Sequence, residues 1–188
     1  MTAVKKKEKK LPKVGLRNVK TALSATLCAI LYALIDRNPT FACIGAIFGM
    51  GSDLEDSWRS GGNRLIGTVI GGFLGMGLFW VFLHLEPYGG RVWILPLLFI
   101  GVILLILAAQ IFHWPGAVQP GGVVLCIILF NTPAATYVVY SLNRMIDTGV
   151  GVLVALLVNL LLPRERLDKW LSAWRNRKKN KKEEKARA

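Results

Sequence analysis

A run of 21 residues without a charged side chain, VWILPLLFIGVILLILAAQIF at Val92–Phe112, restricts the folds open to this chain. A helix needs about 20 consecutive apolar residues to cross the hydrocarbon core of a bilayer. The run therefore predicts a transmembrane helix, and the rest of the chain has to be interpreted with a membrane in mind.

The charges lie at the two ends of the chain. Mean hydropathy is +0.45 although the net charge is +13. Of the 24 Lys and Arg residues, 8 lie in residues 1–20 and 11 in residues 164–188. This pattern predicts a membrane domain at 14–163 between two basic tails, 1–13 and 164–188, and such tails are typical of cytoplasmic flanks. A basic tail can also bind nucleic acid, but no nucleic-acid recognition fold is visible, so no nucleic-acid partner is expected.

Six apolar segments predict an all-α polytopic membrane protein with six transmembrane helices. Turn compositions such as DRNP and EPYGG separate them. In order, the segments are Leu16–Ile35, Phe41–Ser52, Arg64–His84, Val92–Phe112, Ala117–Phe130 and Val138–Leu162.

The segments follow a long, short, long order twice, and a motif repeats with them. SGGNRLIGTVIGG at 60–72 aligns with YSLNRMIDTGVGV at 140–152 on the Asn-Arg pair. The repeated order and motif predict two related three-helix halves, about 14–84 and 91–163. Because each half has an odd number of spans, the second is expected to be inverted, as in many transporters. Six spans place both basic tails on one side, the cytoplasm, in the plasma or inner membrane.

The third and sixth spans each carry a small, polar face with an arginine on it. On the third span Arg64, Thr68, Gly71 and Gly75 follow helical spacing, with Gly67 beside them. On the sixth span the corresponding residues are Arg144, Thr148, Gly151 and Asn159, with Asp147 at the margin. The glycines Gly67, Gly71, Gly75 and Gly151 predict close helix packing.

Two interpretations of these arginines stay open. In one, Arg64 and Arg144 line a polar path and attract an anion, since charges inside a membrane are usually functional. In the other, they lie near helix starts, reach the headgroups or pair with Asp147, and only orient the helices. The loop acid Asp53 and Asp147 could couple protons. A capping-box pattern from Ser52 to Glu55 is the favoured explanation of the loop acids, since carboxylates at a helix N-terminus need no further role.

No enzyme is predicted. The two histidines stand alone, and there is no nucleophile motif, phosphate-binding loop or metal-ligand spacing. The three cysteines all fall in apolar runs. No catalytic residue, cofactor or metal is expected. In the C-terminal tail, Leu167, Trp170, Leu171 and Trp174 share one helical face, which predicts a helix lying on the inner leaflet.

Several blocks carry a family resemblance: GLRNVKTALSATLCAILYAL at 15–34, NPTFACIGAIF at 38–48, NRLIGTVIGGFLG at 63–75 and NRMIDTGVGVLVALLVNLLLP at 143–163. Together they resemble the aromatic acid exporter family of the fusaric-acid-resistance-like superfamily, to which plant aluminium-activated malate transporters are more distantly similar. The most specific pieces are R-x-x-G-T-x-x-G at Arg64 and R-x-x-D-T-x-x-G at Arg144.

The resemblance implies six spans in two inverted halves, cytoplasmic termini and transport of organic anions. It also implies that Arg64 and Arg144 line an anion pore formed in a dimer. Many members carry a soluble domain after the sixth span, whereas about 25 residues follow it here, so this chain resembles a short bacterial form.

We therefore expect a membrane exporter or channel for small organic anions, with aromatic carboxylates as candidates, that forms a homodimer or higher homo-oligomer in the lipid bilayer. Arg64 and Arg144 would attract the carboxylate, with Thr68, Thr148 and Asn159 as hydrogen-bond donors. The alternative is a non-transporting scaffold or subunit whose basic tails recruit anionic lipid or a cytoplasmic partner.

Overall fold

A computed structural model describes residues 15–162, and these residues form helices and turns without any strand. The all-α class is thus confirmed for this part of the chain. The helices are α1 Leu16–Leu34, α2 Thr40–Gly49, α3 Leu54–Gly89, α4 Ile94–Ile111, α5 Val118–Asn131 and α6 Tyr137–Leu161. Short 3-10 turns at Gly90–Trp93 and Pro115–Ala117 precede α4 and α5. The predictions for the two basic tails, including the amphipathic face of the C-terminal tail, lie outside the described residues.

The third helix begins well before the apolar run that predicted it. Its N-cap is Asp53, not the predicted Ser52. The Asp53 carboxylate accepts a hydrogen bond from the backbone N–H of Asp56 (2.8 Å), and the Asp56 carboxylate accepts one from the backbone N–H of Ser52 (2.8 Å). The helix start at Leu54 places Arg64 about three turns inside α3. Arg64 is therefore farther from a helix end than the sequence suggested.

The other end of α3 also extends past its predicted limit. The helix continues through Pro87 to Gly89, although the composition around Pro87 predicted a break earlier. It ends where Gly90 adopts a φ of 63°, a left-handed conformation that glycine adopts without a Cβ clash.

The two arginine-bearing helices pack closely against the two short helices. α3 packs on α5, α6 packs on α2, and α3 and α6 pack on each other. At the α3–α5 contact and at the α2–α6 contact, a glycine of the arginine-bearing helix lies against a backbone carbonyl of the short helix. A Cβ on Gly151 would overlap the carbonyl oxygen of Ala42 in α2, and one on Gly71 would overlap that of Gly121 in α5. These two glycines occupy the same position in the repeated motif.

The remaining glycines of the predicted packing face lie on the same contact. A Cβ on Gly67 would overlap the carbonyl oxygen of Ala117, and one on Gly75 would lie 2.7 Å from the Cδ1 atom of Ile128. Glycine along this face thus lets α3 approach the start and the middle of α5.

Two segments of the described chain are long and apolar enough to cross a membrane by length and composition. They are Leu54–Ile111, which includes α3, the 3-10 turn and α4, and Tyr137–Leu161. Only 28% of the most apolar window in the first segment is buried inside the protein, so most of its side chains face outward. Shorter apolar helices are Thr40–Gly49 and Pro115–Asn131. The number of spans stays a prediction.

Candidate functional site

Arg144 is a buried arginine that no carboxylate of the described residues neutralises. It lies two turns inside α6 and is 2% exposed. Its guanidinium lies over the ring of Phe41, 4.1 Å from the centroid, and its Nη1 donates a hydrogen bond to the hydroxyl of Tyr140 (3.2 Å). Within residues 15–162 its buried Nε has no hydrogen-bond partner, and no residue forms a salt bridge with it. In this part of the chain the charge is therefore held by an aromatic ring and a hydroxyl alone.

This guanidinium opens onto a cavity between α2 and α6, named here the α2–α6 cavity. Its volume is about 480 Å³. Besides Arg144, its walls combine aromatic rings with polar groups: Arg37, Asn38, Thr40, Phe41, Tyr140, Asn143 and Asp147. The N-terminal end of α2 lies at this cavity, and the partial positive charge of a helix N-terminus favours anions.

Asp147 lies on the wall of the same cavity but does not pair with Arg144. Its Oδ1 accepts hydrogen bonds from the hydroxyl of Tyr32 (2.7 Å) and from Nη2 of Arg37 (3.1 Å). Arg37 also donates to Oδ1 of Asn143 (3.2 Å). The side chain of Asp147 is 7% exposed, against 40% for Arg37. Asp147 thus neutralises the loop arginine and leaves Arg144 without a carboxylate among the described residues.

Arg64 opens onto a second cavity, named here the α3–α5 cavity. Arg64 is half-buried, its guanidinium lies 5.2 Å from the centroid of the Phe48 ring, and its buried Nε finds no hydrogen-bond partner in the described part of the chain. The cavity has a volume of about 370 Å³. Its other walls are Phe48, Ser60, Asn63, Gly116, Gln119, Pro120 and Val123, so it lies at the N-terminal end of α5.

The two arginines share one helix as a common wall. Phe41 and Phe48 lie seven residues apart on α2, which is two helical turns or about 10 Å along its axis. Arg144 stacks on the first ring and Arg64 on the second. Each cavity thus combines an arginine, a phenylalanine and the N-terminus of a short helix.

Three other residues expected on the path lie elsewhere. Thr68 is fully buried and its hydroxyl donates to the carbonyl of Arg64 in its own helix (2.8 Å). Thr148 is 1% exposed, beneath Gly45 of α2. Neither threonine lines the α2–α6 cavity or the α3–α5 cavity.

Asn159 belongs to a separate polar network. Its Oδ1 accepts a hydrogen bond from Nζ of Lys20 (2.7 Å), and its Nδ2 donates to the backbone carbonyl of Asp53 (2.6 Å) and to the hydroxyl of Ser57 (2.8 Å). The network joins α1, α6 and the start of α3. Lys20 is 2% exposed.

Sequence reasoning missed the aromatic partners of both arginines and the roles of Lys20 and Arg37. Tyr140 could have been found, because it lies one helical turn before Arg144. Phe41 and Phe48 give no such signal, since aromatic residues are common in membrane helices. In the sequence Arg37 resembles an ordinary loop charge, and its partner lies 110 positions away.

The described residues contain no group of three or more His, Cys, Asp or Glu side chains that could hold a metal ion. A comparison with protein families matches residues 12–162 to the model described as aromatic acid exporter family member 1. The match spans all six described helices. No curated protein and no solved structure gave a significant match.

Proposed function

Since the chain belongs to the aromatic acid exporter family, a family of membrane transporters, we propose that it moves small organic anions outward across the cell membrane. Aromatic carboxylates are the first candidates. The chemistry is binding and passage, so the proposal assigns no catalytic residue and no cofactor.

The observation that carries this proposal is that the buried side chain of Arg144 has no carboxylate partner among the described residues. A charged side chain in the middle of a bilayer costs at least about 2.5–3.5 kcal/mol on the most lenient scale. Such a charge is normally paired, yet no described residue supplies Arg144 with a carboxylate. A carboxylate ligand would supply the missing charge and accept hydrogen bonds from the guanidinium, whose fork fits two carboxylate oxygens.

The rings around Arg144 support an aromatic ligand. Phe41 and Tyr140 meet edge to face with centroids 5.9 Å apart, and both line the α2–α6 cavity. Aromatic rings pack favourably on one another at such separations, so a ligand ring can extend the cluster. Arg144 would then hold the carboxylate while the rings contact the apolar part.

Arg64 would serve as the second station on the path. Its guanidinium lies two turns farther along α2, and its Nε also lacks a partner among the described residues. An anion passing from the α3–α5 cavity to the α2–α6 cavity would exchange one arginine for the other. In this proposal the α3–α5 cavity faces the cytoplasm and the α2–α6 cavity faces outward.

We also propose six spans in two inverted halves, with both termini in the cytoplasm. The repeated contacts support this arrangement, because Gly71 meets α5 as Gly151 meets α2. Each arginine likewise lies at the N-terminus of the short helix from the opposite half. Inverted halves of this kind place ligand sites at their interface. A homodimer or higher homo-oligomer is the expected assembly. The scaffold alternative depends on the basic tails, and no observation on the described residues favours it.

Anion flux in proteoliposomes tests the function. Arg144→Gln should reduce benzoate efflux by at least about tenfold, the loss expected when a charged hydrogen-bonding partner is removed. Arg144→Lys should retain part of the flux, since it keeps the charge but loses the fork.

Arg91→Gln is the matched control, because Arg91 is exposed and lines neither of these two cavities. It should transport like the wild type. Equal flux in the Arg144→Gln and Arg91→Gln proteins, both folded, would remove Arg144 from the path.

A further inference from the structure

We propose that Asp147 determines the charge of the anion that the α2–α6 cavity accepts, favouring monocarboxylates over dicarboxylates. The inference rests on the proposed transport function and specifies the substrate class of that same site. Of the described residues, three with charged side chains line the cavity: Arg37, Arg144 and Asp147. With Asp147 ionised, their sum is one positive charge.

Of the two arginines in the α2–α6 cavity, one pairs with a carboxylate of the described residues and the other does not. Arg37 already has partners, because its Nη2 donates hydrogen bonds to Oδ1 of Asp147 (3.1 Å) and to Oδ1 of Asn143 (3.2 Å). Arg144 has no carboxylate partner within the described chain. Its neighbours there are a hydroxyl and a ring, and its Nε has no hydrogen-bond partner among these residues. Among the described residues, the cavity therefore offers one free cation, which matches a ligand with one carboxylate.

A second carboxylate on the ligand would lie near the carboxylate of Asp147. Both described hydrogen bonds to Asp147 end on Oδ1, and no described residue donates to Oδ2. A dicarboxylate bound through Arg144 would bring its other carboxylate into a cavity whose wall already carries this negative group. Like charges a few Å apart in a partly solvated site repel each other, and Arg37 is already paired with Asp147, so the dianion is disfavoured.

Asp147→Asn changes this charge while keeping the shape of the side chain. The asparagine oxygen can still accept hydrogen bonds from Tyr32 and Arg37, so the link between α1 and α6 is retained. The cavity then carries two positive charges, and the charge of Arg37, no longer neutralised by a carboxylate, can attract a second carboxylate on the ligand.

The test compares benzoate with phthalate, which share one ring and carry one and two carboxylates. Proteoliposome flux is measured for both anions at neutral pH. The wild type should prefer benzoate. In Asp147→Asn, the phthalate-to-benzoate flux ratio should rise by about tenfold or more, the scale of one unit charge acting over a few Å.

Two further variants serve as controls. Asp36→Asn removes an exposed carboxylate from the turn before Arg37 but outside the cavity, and its φ of 50° suits asparagine. Asp147→Glu keeps the charge in the cavity. Both should retain the wild-type preference for benzoate. Arg37→Gln provides a second variant if Asp147→Asn fails to fold, and it should lower benzoate flux several-fold because Asp147 loses its cation.

The outcomes separate this inference from the transport function. An unchanged flux ratio in Asp147→Asn, with benzoate still carried, overturns the inference alone. The inference is also overturned if Asp147→Asn does not fold and Arg37→Gln carries benzoate at the wild-type rate. A wild-type protein that carries neither anion overturns the proposed function, and the inference with it.

Discussion

At the scale of single residues, the polar side chains of α6 divide into two groups. Arg144 and Asp147 face the α2–α6 cavity, whereas Asn159 makes three hydrogen bonds to Lys20, Ser57 and the backbone of Asp53. Helical periodicity in the sequence assigns all of them to one face of α6. It does not show which partner each residue meets along the length of that face. Only the packed partners separate a residue that can meet an anion from one that ties helices together.

This division predicts a structural role for Asn159. Asn159→Ala should lower the free energy of unfolding by on the order of 1–3 kcal/mol, because three hydrogen bonds among buried groups are lost. Thermal unfolding of the purified protein in detergent measures the change, and benzoate flux per folded molecule should stay near the wild-type value.

Asn131→Ala is the matched control, since Asn131 is exposed at the end of α5 and its side chain makes no hydrogen bond to a described residue. It should unfold like the wild type. A fully stable Asn159→Ala protein that has lost its flux would instead return Asn159 to the anion path.

At the scale of helices, glycine decides how closely the elements approach. Gly151 lies against the carbonyl oxygen of Ala42, whereas a Cβ on Gly77 of α3 would meet no described atom within 4 Å. The two residues therefore respond differently to the same substitution.

Gly151→Ala should destabilise the protein by about 1–3 kcal/mol, because the added methyl group forces α6 away from α2. It should also lower flux, since the α2–α6 cavity lies along this contact. Gly77→Ala should be neutral or stabilising by up to about 1 kcal/mol, as alanine favours the helix. Thermal unfolding of both variants checks the contrast, and equal stability would contradict the close approach.

Helix positions followed well from the sequence, and helix ends did not. The apolar run at Leu16–Ile35 predicted α1 to within one residue. The apolar run placed the start of α3 ten residues too late, because Leu54–Asn63 is mostly polar and hydropathy cannot detect a polar helical turn, whereas the capping-box pattern at Ser52 lies one residue from the observed N-cap, Asp53. Val152 lies outside the small, polar face of α6, yet it is only 4% exposed, packed against Gly49 and Gly61. Packing against small residues is decided by the tertiary fold, which local pattern does not record.

At the scale of the whole molecule, the proposed mechanism requires two halves of opposite orientation. The Asn-Arg motif suggested this, and the paired glycine contacts and paired cavities add to it. The long-range links that make the site, such as Arg37 to Asp147, could not be predicted from one sequence. They join residues far apart in the chain, and nothing in the spacing of either residue points to the other.

The proposed topology predicts the accessibility of both tails. Their Lys and Arg residues are trypsin sites, so trypsin should cut both tails in inside-out vesicles and neither in right-side-out vesicles. Mass spectrometry of the released peptides measures this. Cleavage of the two tails from opposite sides would require an odd number of spans and would rule out the six-span arrangement.

The most direct test of the central claim is the affinity of the purified protein for benzoate, measured by calorimetry for the wild type, Arg144→Gln and Arg91→Gln. We predict that Arg144→Gln binds at least about tenfold more weakly, because it lacks the charged donor for the carboxylate, while Arg91→Gln binds like the wild type. Equal affinity in all three proteins would contradict the claim that the buried guanidinium of Arg144 holds the anion.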